Sequence, residues 1–217
     1  IEPPIPGYDY QQLLVFYDLI DHEDIDIQIR NALCISSIIL KCEEIGEFYY
    51  QTHLIDIISH KIETNTSTVL IYRFFEIISS LSSLNETILN SILETIPISI
   101  WPEFLKIDAI HEKFGDFFLT ITKYENANES FQRNIFTIFS KIIEENHMIF
   151  FESILKSINQ MMMHLSFNFE LFFQMNFHQF IISVLFSTNN SNLLIASMQI
   201  ISKSIHFFFF IDEKIIN

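Results

Sequence analysis

Apolar residues recur at intervals of three and four along nearly the whole chain, and this spacing limits the possible fold more than any other feature. Tyr10, Leu13, Leu14, Tyr17 and Ile20 follow it, as do Leu70, Phe74, Ile77 and Leu81. So do Phe131, Ile135, Phe139 and Ile142; Phe169, Phe173, Phe177, Phe180 and Val184; and Leu194, Met198, Ile201 and Ile205. At 3.6 residues per turn each set lines one stripe of a helix. No segment sustains the alternation in twos of a half-buried strand. Isoleucine is abundant and ordinarily favours strands, but three glycines in 217 residues cannot supply repeated tight hairpins. The pattern predicts an all-α fold.

Gly7, Gly46 and Gly115 lie far apart, which excludes the glycine-rich turn of a P-loop or a dinucleotide-binding fold. A hydrophobic content of 49% excludes intrinsic disorder, because it provides enough apolar surface to offset the entropy of ordering. The length suits one domain over 1–217, with Pro3, Pro4 and Pro6 marking an extended lead-in arm over 1–8. Helix starts are expected at Asp9 with Gln12 and at Ser83 with Glu86, both with capping-box spacing, and at Pro102 after Trp101.

Acids outnumber bases 27 to 12, a net charge of -15, and such a surface repels the phosphate backbone of nucleic acid. The excess is concentrated early. Residues 1–60 carry eleven acids against Arg30 and Lys41, while four acids face three lysines from Asn146 onward. Residues 171–202 contain no charge, but Gln174, Asn176, His178 and Gln179 at one end and Asn189, Asn190 and Asn192 in the middle interrupt the run. No membrane span is expected. Cys34 and Cys42 read as members of one helix, ~12 Å apart at 1.5 Å per residue, too far for a disulfide. The thiols are therefore expected to be inert packing in a reducing, cytoplasmic or nuclear setting.

Four polar linkers, at 21–26, 65–68, 126–130 and 189–192, each precede a helix. Aligning those helices makes Ile35, Ile77, Ile138 and Ile200 equivalent, with Arg30-Asn31 matching Arg133-Asn134 and Ile77-Ile78-Ser79 matching Ile200-Ile201-Ser202. The first spacing lies within the ~40 to 47 residues of armadillo and HEAT units. The later two are longer and need an additional helix each, which Glu86 to Ile96 and His147 to Met162 can supply.

Tyr49 to Ile58, a polar linker and Val69 to Leu81 together resemble an armadillo unit, and so do Phe173 to Phe186, the Asn-rich linker and Leu193 to Ile205. The resemblance is a pattern of apolar positions covering most of the chain. It departs from the armadillo pattern before the groove-lining helix, where Thr52 and Asn176 stand near the place of the usual small residue. It implies a right-handed superhelix of stacked helices with irregular repeats, an armadillo/HEAT-like solenoid belonging to a longer array. Its concave surface would bind a peptide or a helical partner. Some armadillo-like proteins are import adaptors for basic peptides, which suits the acidic first half. The alternative is a structural subunit of a larger helical-repeat assembly.

No pattern of chemistry stands out. His53, Asp56 and His60 share a helical face, but the two imidazoles lie ~10 Å apart along the axis, too far for one ion. An EF-hand counted from Asp21 meets Asp26 and Ala32 where Gly and Glu are required. There is no nucleophile elbow. No catalytic residue, cofactor or metal is therefore expected. The polar positions expected in a partner-binding groove are Gln11, Asp18, His53, Asp56, Thr120, Lys123, Gln174 and His178. The Met161-Met162-Met163 run reads as core filling. Four consecutive aromatics, Phe207 to Phe210, cannot all face one core, so Phe208 and Phe210 are expected to form a contact surface for self-association at the C-terminal end.

Overall fold

The computed structural model describes residues 10–124 and 128–215; the side chains at 10, 11, 112 and 207–215 lie outside that description. Every regular element among the described residues is helical, as the three-and-four spacing predicts. The chain divides into two compact units, Ile1–Ile110 and His111–Asn217.

In the first unit a 3-10 turn, Tyr10–Leu14, leads into α1 (Val15–Ile20), α2 (Ile25–Ile39), α3 (Glu43–Gln51), α4 (Leu54–Thr64), α5 (Thr68–Ser82), α6 (Glu86–Thr95) and α7 (Trp101–Leu105). α2 and α5 pair most extensively. They bury Ile35, Ile39, Phe74 and Ile78, so the helices that carry Ile35 and Ile77 are neighbours in space. Phe104 of α7 closes the core, its ring 5.0 Å from Phe75 and 5.9 Å from Trp101.

The second unit comprises α8 (His111–Ile121), α9 (Glu129–Glu144), α10 (Phe151–Met161), α11 (Phe169–Gln174), α12 (Phe177–Ser187) and α13 (Ser191–Ile215). Phenylalanine fills its core. Phe118 meets Phe114 at 4.6 Å and Phe139 at 4.8 Å, and Phe136 meets Phe177 at 4.9 Å. The first two pairs are edge-to-face, a geometry worth ~0.5 to 1.5 kcal/mol beyond area burial. α10 packs against both α8 and α13. A Cβ on Gly115 would stand 3.1 Å from Ser153 Oγ, so its absence lets α8 approach α10 closely.

Each polar linker supplies a cap. Asp24 accepts from Asp26 N, Ser67 from Leu70 N, Asn128 from Phe131 N and Asn190 from Asn192 N. These side chains satisfy N–H groups that the first turn leaves unpaired.

Several local expectations are corrected. The Ser83 and Glu86 box does not form; Asn85 accepts from Ile88 N, and Ser83 instead donates to Ser80 O at the end of α5. Pro102 is the second residue of α7, and Trp101 the first. Cys34 and Cys42 belong to different helices, because α2 stops at Ile39 and Cys42 is the extended residue before α3. Glu43 and Glu44 favour a new helix there through its dipole. Both thiols are free and Cys34 is exposed, so it is not packing. Asp9 lies outside the described residues.

The stripes through 49–58 and 169–184 are also each broken once. His53 and Asn176 adopt left-handed φ of 62° and 61° and divide α3 from α4 and α11 from α12. After each break comes an eleven-residue helix, then a three-residue polar linker, then a long helix. The two units thus share one local design. Asparagine and histidine enter the left-handed region more readily than most residues, which suits them to these two breaks.

Ile138 and Ile200 are not equivalent in the packing. Ile138 lies on α9, whereas the helices that stack in series are α8, α10 and α13, beginning at 111, 151 and 191 and thus forty positions apart.

Candidate interaction surface

The forty-residue step places polar side chains of successive helices beside one another. Asn159 of α10 donates its amide N–H to Gln199 Oε1 of α13 at 2.7 Å, and Asn192 of α13 donates to Glu152 Oε1 of α10 at 3.2 Å; both pairs are forty residues apart. On the α8 side Thr122 donates its hydroxyl to Gln160 Oε1 at 3.0 Å. Lys203 Nζ donates to Asn159 O and Oδ1 at 2.7 and 2.5 Å, and Lys156 Nζ lies 2.7 Å from Glu152 Oε1. These contacts form a polar rail along α10 and α13, with the buried Thr122 joining it to the turn after α8.

The rail positions recur along each helix for the same reason as the apolar stripes. Glu152, Lys156 and Asn159 lie at successive steps of four and three, and Asn192, Gln199 and Lys203 at seven and four, which keeps each set on one helical face.

The electrostatics of the rail are mild. The hydrogen bond from Lys156 holds the Glu152 carboxyl below its ordinary range against the opposing effect of burial. Burial of the Lys203 ammonium lowers its pKa, while its contacts to Asn159 supply two acceptors in place of water. Asn192, Gln199 and Gln160 are exposed. The Gln199 NH2 and the Asn192 carbonyl oxygen take no part in the cross-helix bonds, so each can meet a complementary group of a bound backbone.

The side chains expected in a groove do not gather at this rail. Asp18 is exposed on α1, and His53 and Asp56 are an exposed pair with Nδ1 and Oδ2 3.1 Å apart. Thr120 donates to Asp116 O within its own helix, Lys123 is exposed in the turn after α8, and Gln174 donates to Glu170 Oε1. The His178 ring lies 5.2 Å from Phe173. Gln11, Phe208 and Phe210 have side chains outside the described residues. The rail itself was missed, although the pairs Glu152/Asn192 and Asn159/Gln199 carry the forty-residue spacing in the sequence and could have disclosed it.

The two units differ in charge, with seventeen acidic residues against five basic ones up to Ile110 and ten against seven thereafter. Within the first unit Asp21 is paired with Lys61, Arg73 with Glu76 and Asp56 with His53, while Asp18, Glu23, Asp24, Asp26, Glu43, Glu44 and Glu63 are among its exposed acids. Among the described residues no three histidines, cysteines or acids come together to hold a metal ion, and no helix is long and apolar enough to cross a membrane.

No family model matches the chain, and no curated protein matches it. Among solved structures it is similar to the crystal structure of an engineered protein, with 8% identity and a TM-score of 0.47 over 88% of this chain and 98% of that one.

Proposed function

We propose that the chain is a non-catalytic interaction module of the armadillo/HEAT type, and that the polar rail on α10 and α13 of the second unit is where it binds an extended peptide or a helical partner. The observation that supports this reading is the two cross-helix contacts between α10 and α13, Asn159 with Gln199 and Glu152 with Asn192, each spanning forty residues. Side chains that already bridge neighbouring helices are pre-ordered, so a ligand that bonds to them adds little entropy cost. Exposed amides offer donor and acceptor together, which suits a peptide backbone in extended form. The net charge of -15 favours a ligand that also carries basic residues. A cytoplasmic or nuclear setting is consistent with the free Cys34 and Cys42.

Selection of displayed peptides against the intact chain tests the reading. Peptides should be enriched on the wild-type chain and lose at least tenfold in affinity for the N159A/N192A/Q199A variant, whose circular dichroism should remain that of the wild type. Equal binding to both chains would refute the assignment of the rail.

A further inference from the structure

α13 leaves exposed the positions whose counterparts on α10 are covered. Forty positions before Ile195 and Met198 stand Leu155 and Ile158 of α10, both 0% exposed, whereas Ile195 and Met198 are 55% and 64% exposed. α10 has α8 and α13 packed against it, and α13 has α10 and α12. The open side is apolar. Ile182 and Phe186 of α12 and Ile205 of α13 are exposed there, and a groove of about 410 Å³ runs past Leu185, Met198, Ile201 and Ile205.

Two features identify what can cover it. Ile195, Met198, Ser202 and Ile205 follow one another at steps of three, four and three, the seam spacing by which helices pair. That order reads the same from either end, so a two-fold axis at its midpoint sets Ile195 against Ile205 and Met198 against Ser202 of an identical helix. Charge gives the second. Between Leu171 and His206 the one charged side chain is Lys203, which is engaged with Asn159 on α10. Two such faces meet without repulsion, whereas the acidic surface of the first unit repels its own copy.

We propose that this face is closed by the same face of a second copy, with α13 antiparallel to α13 of its partner. The proposal rests on the repeat reading of the second unit but concerns a different surface from the rail. α12 and residues 191–206 of α13, where side chains are described, extend ~16 and ~24 Å at 1.5 Å per residue and lie side by side, so each copy contributes roughly 400 to 500 Å². The total is near the ~1,000 Å² lower bound for a specific interface, the size range of weak, reversible association.

Sedimentation equilibrium of the full chain from about 1 to 100 µM tests the proposal. The mass should rise from 25.7 kDa toward twice that value. The I195E/M198E variant should weaken dimerisation at least tenfold, with unchanged helicity because both positions are exposed. A Ser202→Cys chain treated with a short thiol cross-linker should give covalent dimer above the background set by Cys34 and Cys42, and this measurement stands even if the double variant fails to fold. A wild-type monomer throughout, a dimer indifferent to I195E/M198E, or a dimer abolished only by F208S/F210S would each overturn the proposal. Peptide binding at the rail should survive I195E/M198E, so failure of the dimer and failure of the binding reading are separable.

Discussion

Replacing Gln132 by leucine should loosen the second unit at one defined place. Gln132 of α9 is 2% exposed. Its Nε2 donates to Ser166 O at 2.7 Å, and its Oε1 accepts from Asn168 N at 2.8 Å. Asn168 in turn caps α11 by accepting from Leu171 N at 2.9 Å. One buried amide therefore holds the segment between α10 and α11 and sets the start of α11. In the leucine variant the Ser166 carbonyl loses this donor and the Asn168 N–H loses its acceptor, at ~1 to 3 kcal/mol for each part-buried group. Added apolar burial returns roughly 1 kcal/mol, so the net loss is ~3 kcal/mol. Urea unfolding followed by circular dichroism should show this loss. Amide exchange in peptides spanning 166–174 should accelerate by about two orders of magnitude, since ~1.4 kcal/mol corresponds to tenfold. The neighbouring R133A variant removes an exposed ion pair with Glu129 and should change stability by less than ~0.5 kcal/mol. A loss below 1 kcal/mol for Q132L, or faster exchange only outside 166–174, would refute the reasoning.

Other expectations follow from the helix junctions and the charge. Relief of the left-handed backbone at residue 53 should make H53G more stable by ~0.5 to 1 kcal/mol and H53V less stable by ~1 to 2 kcal/mol, read from thermal midpoints. Burial pushes the Tyr17 hydroxyl up to about 12, partly opposed by its bond to Thr52. Tyr17 therefore contributes stability that is full below pH ~10, where the unfolded state keeps its proton, and is lost as pH rises to about 12. With the ring partly exposed this is ~1 to 2 kcal/mol, and Y17F should flatten the alkaline fall in unfolding free energy; an unchanged slope would contradict it. A lysine-rich peptide should bind more weakly from 0.1 to 1 M salt, as the Debye length shortens from ~10 to ~3 Å. Charge reversal at Asp18 and Asp56 should weaken it further, and salt-independent binding would direct attention to the apolar face of α12 and α13.

Helix identity was legible because burial acts on stripes: Leu70, Phe74, Ile77 and Leu81 are all fully buried on α5. Linkers were legible because Asp, Ser and Asn carry capping oxygens. The interruptions at His53 and Asn176 were not, since the apolar spacing continues across each break while a single backbone angle changes sign. The longer repeat spacing misled for a related reason. Ile138 and Ile200 both sit on buried stripes, but periodicity along a helix does not say which helices lie side by side. The expected groove residues do not gather at the rail for a similar reason, because an exposed polar position such as Gln174 or Lys123 looks the same in sequence whether or not the next helix presents a partner. Only pairs at the stacking distance, Asn159 with Gln199 and Glu152 with Asn192, carry that information.

The most direct test of the interaction reading follows the side-chain amide NMR signals of Asn159, Asn192 and Gln199 while a selected peptide is titrated into the isotopically labelled chain. If the rail is the binding surface, these three signals shift together and saturate at one peptide per chain. Shifts confined to α12, to the first unit or to no residue of the rail would contradict it.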